Sequence, residues 1–164
     1  MNDREMYDKL FFMHKTIGIG LDPFNSWLAL RSSKTLEVRV SAAQNNAMSI
    51  AKILQVSSKV EKVLYPGLTS HPDYKTIKKQ QMGAGAMISF FIKGDLKGAT
   101  RFLKALKLFT LATSLGDCKS LVENKVIMFQ EAVLPERVRL IRLSVGIENE
   151  ADLIADIKQA LSKV

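Results

Sequence analysis

Along the first residues, apolar positions recur at three- and four-residue steps: Met6, Leu10, Met13 and Ile17. That period predicts a helix over 3–16, with Asn2 or Asp3 as its cap. Gly18 and Gly20 interrupt the pattern. Asp22-Pro23 restarts it, an acid at the N-cap followed by proline at the first helical position. This second helix carries Phe24, Trp27, Leu28 and Leu30. A third runs from near Thr35 to about Val56 on the stripe Ala43, Ala47, Ile50, Ala51 and Leu54.

After Ser57-Ser58 the period changes. Val60, Val63 and Leu64 predict a short strand that ends at the turn Tyr65-Pro66-Gly67. A short basic helix follows over 71–80, then a loop at Gly83-Ala84-Gly85. The apolar run from Ala86 to Lys93 reads as a strand buried on both faces. Asp95 caps a helix through Leu106 whose inner face is Leu96, Ala99, Phe102, Leu103 and Leu106. Strands are predicted at 108–112 and at 140–145. In the latter, Leu140, Arg142 and Ser144 alternate with Ile141, Leu143 and Val145. Asn149 caps the last helix, with Asp152 three residues on, and Leu153, Ile154, Ile157, Ala160 and Leu161 form its stripe.

Three helices followed by strands alternating with helices predict an α+β fold: a small, mostly antiparallel sheet covered by helices, preceded by a helical arm. The expected division is an arm over 1–56 and a small α+β domain over 57–164. At 164 residues the chain has the size of one domain that buries a sizeable core without staples. No internal repeat or low-complexity linker interrupts it.

Charge changes this picture little. The net charge is +8, and it is uneven: 75–107 holds seven Lys and one Arg against Asp95, while 146–164 holds four acids and two lysines. A basic stripe raises a polyanion-binding reading. No aromatic interleaving, Arg-Gly repeat or helix-turn-helix pattern supports it, so the stripe is read as a solvated face and nucleic acid as an improbable partner. No membrane helix is legible and nothing resembles a signal peptide, so the expected setting is soluble and cytoplasmic. The single cysteine, Cys118, excludes an intramolecular disulfide and a Cys-cluster zinc site.

Candidate chemistry is sparse. Gly18-Ile-Gly20 and Gly83-Ala-Gly85 are too short for a dinucleotide fingerprint and read as turns. Cys118 beside Lys119 reads as structural, and His71 as a helix-entry residue. Arg142 stands out inside an apolar strand, where it suits capture of a carboxylate. It equally suits an exposed position or an ion pair with Glu148, Glu150 or Asp152.

Several segments, in order, resemble the C-terminal part of the cystathionine γ-lyase/β-lyase family, pyridoxal-phosphate enzymes of cysteine and methionine metabolism. They include Asp22-Pro-Phe-Asn-Ser-Trp-Leu-Ala-Leu-Arg31, Val60-Glu-Lys-Val-Leu-Tyr-Pro-Gly-Leu-Thr-Ser-His-Pro72, Ser114-Leu-Gly116 and Arg142-Leu-Ser-Val-Gly-Ile-Glu148. The resemblance covers essentially the whole chain. It implies the C-terminal domain of a fold-type I enzyme with pyridoxal phosphate as cofactor, and a trans-sulfuration lyase that cleaves cystathionine. It further implies that Arg142 binds the substrate α-carboxylate and that Ser114 lies in the active site. Thr113 occupies a position that helps set substrate choice, often Glu in γ-lyases.

The family's cofactor lysine sits in a Ser-x-Thr-Lys context, which neither Lys15 nor Lys34 shares. The resemblance therefore implies that the covalent cofactor site is not in this chain, and that no residue here is catalytic by itself. Departures are Asp117 after Ser-Leu-Gly, Met128-Phe-Gln130 in place of Met-Thr-His, and a shortened stretch between Pro135 and Arg142. Expected partners are an amino-acid substrate in the whole enzyme, and a second copy or full-length relatives. The alternative reading is a non-catalytic truncated paralogue. Glu123 and Glu131 are the nearby acids expected to occupy Arg142 when no substrate does.

Overall fold

The computed structural model describes residues 2–129 and 138–164. In chain order the elements are α1 (Arg4–Ile17), α2 (Pro23–Ser33), α3 (Leu36–Val56), β1 (Val60–Leu64), α4 (Tyr74–Gln80) and β2 (Met87–Ile92). They continue with α5 (Leu96–Ala105), β3 (Thr110–Leu111), β4 (Leu121–Glu123), α6 (Lys125–Phe129), β5 (Leu140–Ser144) and α7 (Glu150–Leu161).

The helix starts follow the capping chemistry. Asp3 accepts from the Met6 N–H, Asp22 from Phe24 and Asn25, Asp95 from Gly98, and Asn149 from Ala151 and Asp152. These bonds hold the Asp22 and Asp95 carboxyls below the usual carboxylate range. The expected helix over 71–80 begins only at Tyr74. Turn bonds from His71 N–H to Leu68 and from Tyr74 N–H to His71 occupy the residues before it.

The chain forms two compact units, 1–37 and 38–164. The first holds α1 and α2, with no buried residue in either helix. The second holds the sheet and its covering helices. Its boundary falls inside the stretch that the sequence pattern assigned to the arm. The physical reason is the apolar face of α3: Ala47, Ile50, Ala51 and Leu54 are fully buried in the core cluster of the second unit.

The five-stranded sheet has the order β1-β2-β5-β4-β3. All neighbours are antiparallel except β3 and β4. One face carries Ile88, Phe90 and Ile92 of β2, Ile141 and Leu143 of β5, and Val122 of β4. These join the apolar faces of α3, α5 and α7 in one core. Phe90 and Phe102 of α5 meet edge to face at 5.7 Å between ring centroids. β2 is not buried equally on both sides, as its sequence suggested. Met87, Ser89 and Phe91 point to the second face and are half-buried.

Tyr65 closes the first hairpin end. Its ring is fully buried, and its hydroxyl donates to the Gly85 carbonyl at 2.9 Å and the Gln44 carbonyl at 3.4 Å. Burial pushes its pKa up to about 12. Asp156 of α7 accepts from the N–H groups of Lys107 and Leu108, anchoring the approach to β3. Leu108 is thereby withdrawn from the sheet, and the strand expected over 108–112 shrinks to Thr110–Leu111.

Candidate functional site

The second face of the sheet carries a polar row that the strand register builds. Arg142 on β5 sits opposite Ser89 on β2 and opposite Glu123 on β4. Alternation along β5 turns Ile141 and Leu143 into the core, so Arg142 and Ser144 face the other way.

Arg142 Nη2 donates to the Ser114 carbonyl at 3.4 Å. The same nitrogen forms an ion pair with Glu123 Oε2. The Arg142 side chain is 31% exposed and that of Glu123 only 4%. No described N–H or O–H is aligned to donate a hydrogen bond to that buried oxygen, which therefore faces the guanidinium as a charge partner. The partner of Arg142 is thus Glu123 rather than Glu148, Glu150 or Asp152. Glu131, the other acid expected near it, lies outside the described residues, as do Gln130 and the start of the shortened stretch at Pro135.

Thr113 and Ser114 follow β3 and are exposed, in a loop over 112–120 whose last residue, Ser120, is buried. Two sets of bonds fix this loop, one to the end of β5 and one to the turn that follows it. Gly116 N–H donates to Ser144 Oγ at 3.0 Å, and Gly116 holds φ at 78°, a region that favours glycine. At its far end, Ser120 N–H and Oγ donate to the Glu148 carboxylate at 2.6 and 2.9 Å. Ser120 Oγ also accepts from Gly146 N–H, while Asn46 of α3 donates to the Gly146 and Glu148 carbonyls. Next to Glu123, the buried Asn124 donates to the Val138 and Leu140 carbonyls and caps α6 through Ile127 N–H.

The structure therefore brings together Arg142 and the Ser114 backbone, with Thr113 next in the chain. Sequence reasoning placed Ser144 on the Arg142 face but did not see its bond to Gly116. It also missed Asn46, Ser120 and Asn124 as supports. Their signal is weak in one sequence, since a buried Asn or Ser reads like any polar loop residue until its partners are known.

Chemically, the row suits an anion. Arg142 Nη1 and Nε have no acceptor among the described residues, and each is a donor that suits an anion. Among the described residues, no lysine bonds to Arg142, Ser114 or Glu123. Two concavities of about 210 and 170 Å³ lie elsewhere, and neither is lined by Arg142 or Ser114. Among the described residues, no helix is long and apolar enough to cross a membrane.

Comparison with known proteins gives the same face a context. A family model described as "Cys/Met metabolism PLP-dependent enzyme" matches residues 1–162. The chain is 47% identical over 169 residues to cystathionine gamma-lyase of Dictyostelium discoideum, covering 99% of this chain and 44% of that protein. It is 44% identical to cystathionine gamma-lyase of Mus musculus, covering 98% of this chain and 42% of that protein. It is also 43% identical to cystathionine beta-lyase of Lactococcus lactis subsp. cremoris, over 99% of this chain and 44% of that protein. The chain thus spans less than half the length of these relatives.

Proposed function

The chain belongs to the Cys/Met metabolism PLP-dependent enzyme family, and from that premise we propose that it forms the substrate-binding C-terminal part of a carbon–sulfur lyase acting on cystathionine. Pyridoxal phosphate is the cofactor of this family. In such an enzyme the cofactor supplies the electron sink, and the protein supplies orientation around it. The orientation proposed for this chain is the grip of Arg142 on the substrate α-carboxylate. Ser114 and Thr113 line the approach and bias the choice of substrate.

The observation that carries the reading is the placement of Arg142. It is a partly exposed cation on the inner strand β5, tied to Ser114 O, with Nη1 and Nε each without an acceptor among the described residues. The lyase relatives at 43–47% identity support carbon–sulfur cleavage as the reaction. Threonine at 113 leaves the choice between γ- and β-cleavage to experiment.

The test is a chimera that joins the upstream part of the Dictyostelium discoideum relative to this chain. Expected is pyridoxal-phosphate-dependent cleavage of L-cystathionine, with Arg142→Ala lowering kcat/KM by about 10- to 100-fold, the scale of a lost charged hydrogen bond. A chimera that folds and holds the cofactor but leaves L-cystathionine intact would overturn the reading. One observation favours a second reading, a non-catalytic partner of full-length relatives. The large apolar side chains of α1 and α2, such as Phe12, Phe24 and Trp27, are exposed. Co-purification of the chain with such a relative, alongside an inactive chimera, would select it.

A further inference from the structure

Glu123 has a role that the carboxylate-binding reading of Arg142 leaves unassigned. It is a buried acid on a three-residue strand, directly opposite Arg142 in register. An ionised carboxylate so enclosed is costly unless paired. Its Oε2 has no aligned hydrogen-bond donor among the described residues and faces Nη2 of Arg142. Asn124, the next residue, is tied to the Val138 and Leu140 carbonyls at the start of β5. The backbone beneath the pair is therefore clamped on both strands, and neither partner can drift along the sheet.

The consequence falls on the guanidinium. Arginine is long and rotamer-rich, and an unheld one samples many orientations. Here the Glu123 carboxylate and the Ser114 carbonyl both engage Nη2, and the plane of the head group follows from those two fixed acceptors. Among the described residues, Nη1 and Nε then each remain as a donor for an arriving anion.

We propose that Glu123 is a positioning residue, which holds Arg142 by Nη2 so that a remaining N–H donor, on Nη1 or Nε, meets the α-carboxylate of an amino-acid ligand. The ligand half of this statement rests on the function proposed above; the hold of Glu123 on the guanidinium does not. A competing role makes the opposite prediction. If Glu123 only filled the place of the ligand carboxylate, removing its charge would free Arg142 and tighten anion binding.

The full chain is labelled with ¹⁵N-arginine, and the Arg142 guanidinium resonance is assigned with Arg142→Lys. In the wild type the Nη protons are expected to be resolved and slow to exchange by rotation. Glu123→Gln, close in shape and without charge, is expected to collapse them into averaged signals. Titration with L-alanine, with L-alaninamide as the control lacking a carboxylate, is expected to shift the Nη1 or the Nε signal. In Glu123→Gln the apparent affinity is expected to fall about tenfold, which is ~1.4 kcal/mol.

Unchanged guanidinium rotation in Glu123→Gln overturns the positioning role and leaves the carboxylate-binding reading standing. Tighter L-alanine binding in that variant overturns it in favour of the competing role. Slow rotation lost in the variant, with no response of the wild type to L-alanine, retains the hold of Glu123 and overturns the carboxylate-binding reading instead. Should Glu123→Gln fail to fold, Glu123→Asp serves. Its shorter side chain keeps the charge but is expected to reach Nη2 less well, giving faster rotation than the wild type.

Discussion

A single buried hydroxyl makes the stability of this protein depend on pH in a testable way. Tyr65 is fully enclosed, and its hydroxyl donates to the Gly85 and Gln44 carbonyls. Burial raises its native pKa to about 12, against 10.0 for an exposed tyrosine. The native state therefore keeps the proton when the unfolded chain has lost it. The stabilisation is complete below pH 10 and is lost as pH rises towards 12, by at most about 2–3 kcal/mol. Tyr65→Phe is expected to cost ~1 kcal/mol at pH 8, since the Gly85 carbonyl loses its donor. That deficit is expected to shrink by pH 11, as the wild type alone loses the tyrosine contribution. Denaturant unfolding of both proteins at the two pH values checks this, and parallel pH curves would contradict it. The tyrosine was legible in the sequence only as part of a turn signal. Its buried hydroxyl was not, because the two acceptors lie 20 or more residues away along the chain. Arg142 was easier to read. Strict alternation on β5 gives its face without knowledge of any partner.

At the level of elements, legibility followed length and periodicity. α3, α5 and α7 could be read because each repeats an apolar stripe over several turns and most carry a recognisable cap. β4 and α6 could not. β4 is only Leu121–Glu123, and all three residues are buried, including the acid. An acid inside a strand argues against burial until its arginine is known, so the residue that completes the site also concealed the strand. The loop before β4 is held by a close backbone approach at Gly146. A Cβ at that position would overlap the Cys118 carbonyl oxygen, the Lys119 backbone and the Glu148 carboxylate. Gly146→Ala is therefore expected to push the 112–120 loop from β5 and to break the Ser120–Glu148 bonds. The expected loss is about 1–3 kcal/mol, as for other overpacked sites. Thermal unfolding measures that loss. Amide exchange at Gly116 and Ser120 is expected to accelerate beyond exchange in the distant β1–β2 pair. Equal acceleration in both places would mean that the glycine serves general stability and not the loop.

Across the whole molecule, the two units differ sharply in how they treat apolar side chains. The second encloses a continuous core around the sheet. In the first, Phe11 is 56% exposed, Phe12 69%, Phe24 66% and Trp27 56%, although both helices are capped and α1 carries a helical apolar period. The periodic pattern was therefore a true signal for helix but not for burial. A stripe says that a face wants cover, while the cover itself is read only from a partner surface. The basic run over 75–107 shows the converse. Its lysines and Arg101 are all exposed, as a solvated face requires. Exposed large apolar groups on this scale drive association in water. The full chain is expected to self-associate, with light scattering showing a mass above 18.3 kDa that rises with concentration. Replacing Phe12 and Phe24 by serine is expected to lower the association without lowering the unfolding midpoint of the second unit, because neither side chain belongs to its core cluster. Trp27, the single tryptophan, reports on the same surface: its emission is expected to shift to the blue as concentration rises. A monomeric chain with concentration-independent Trp27 emission would show that these side chains do not drive association in water.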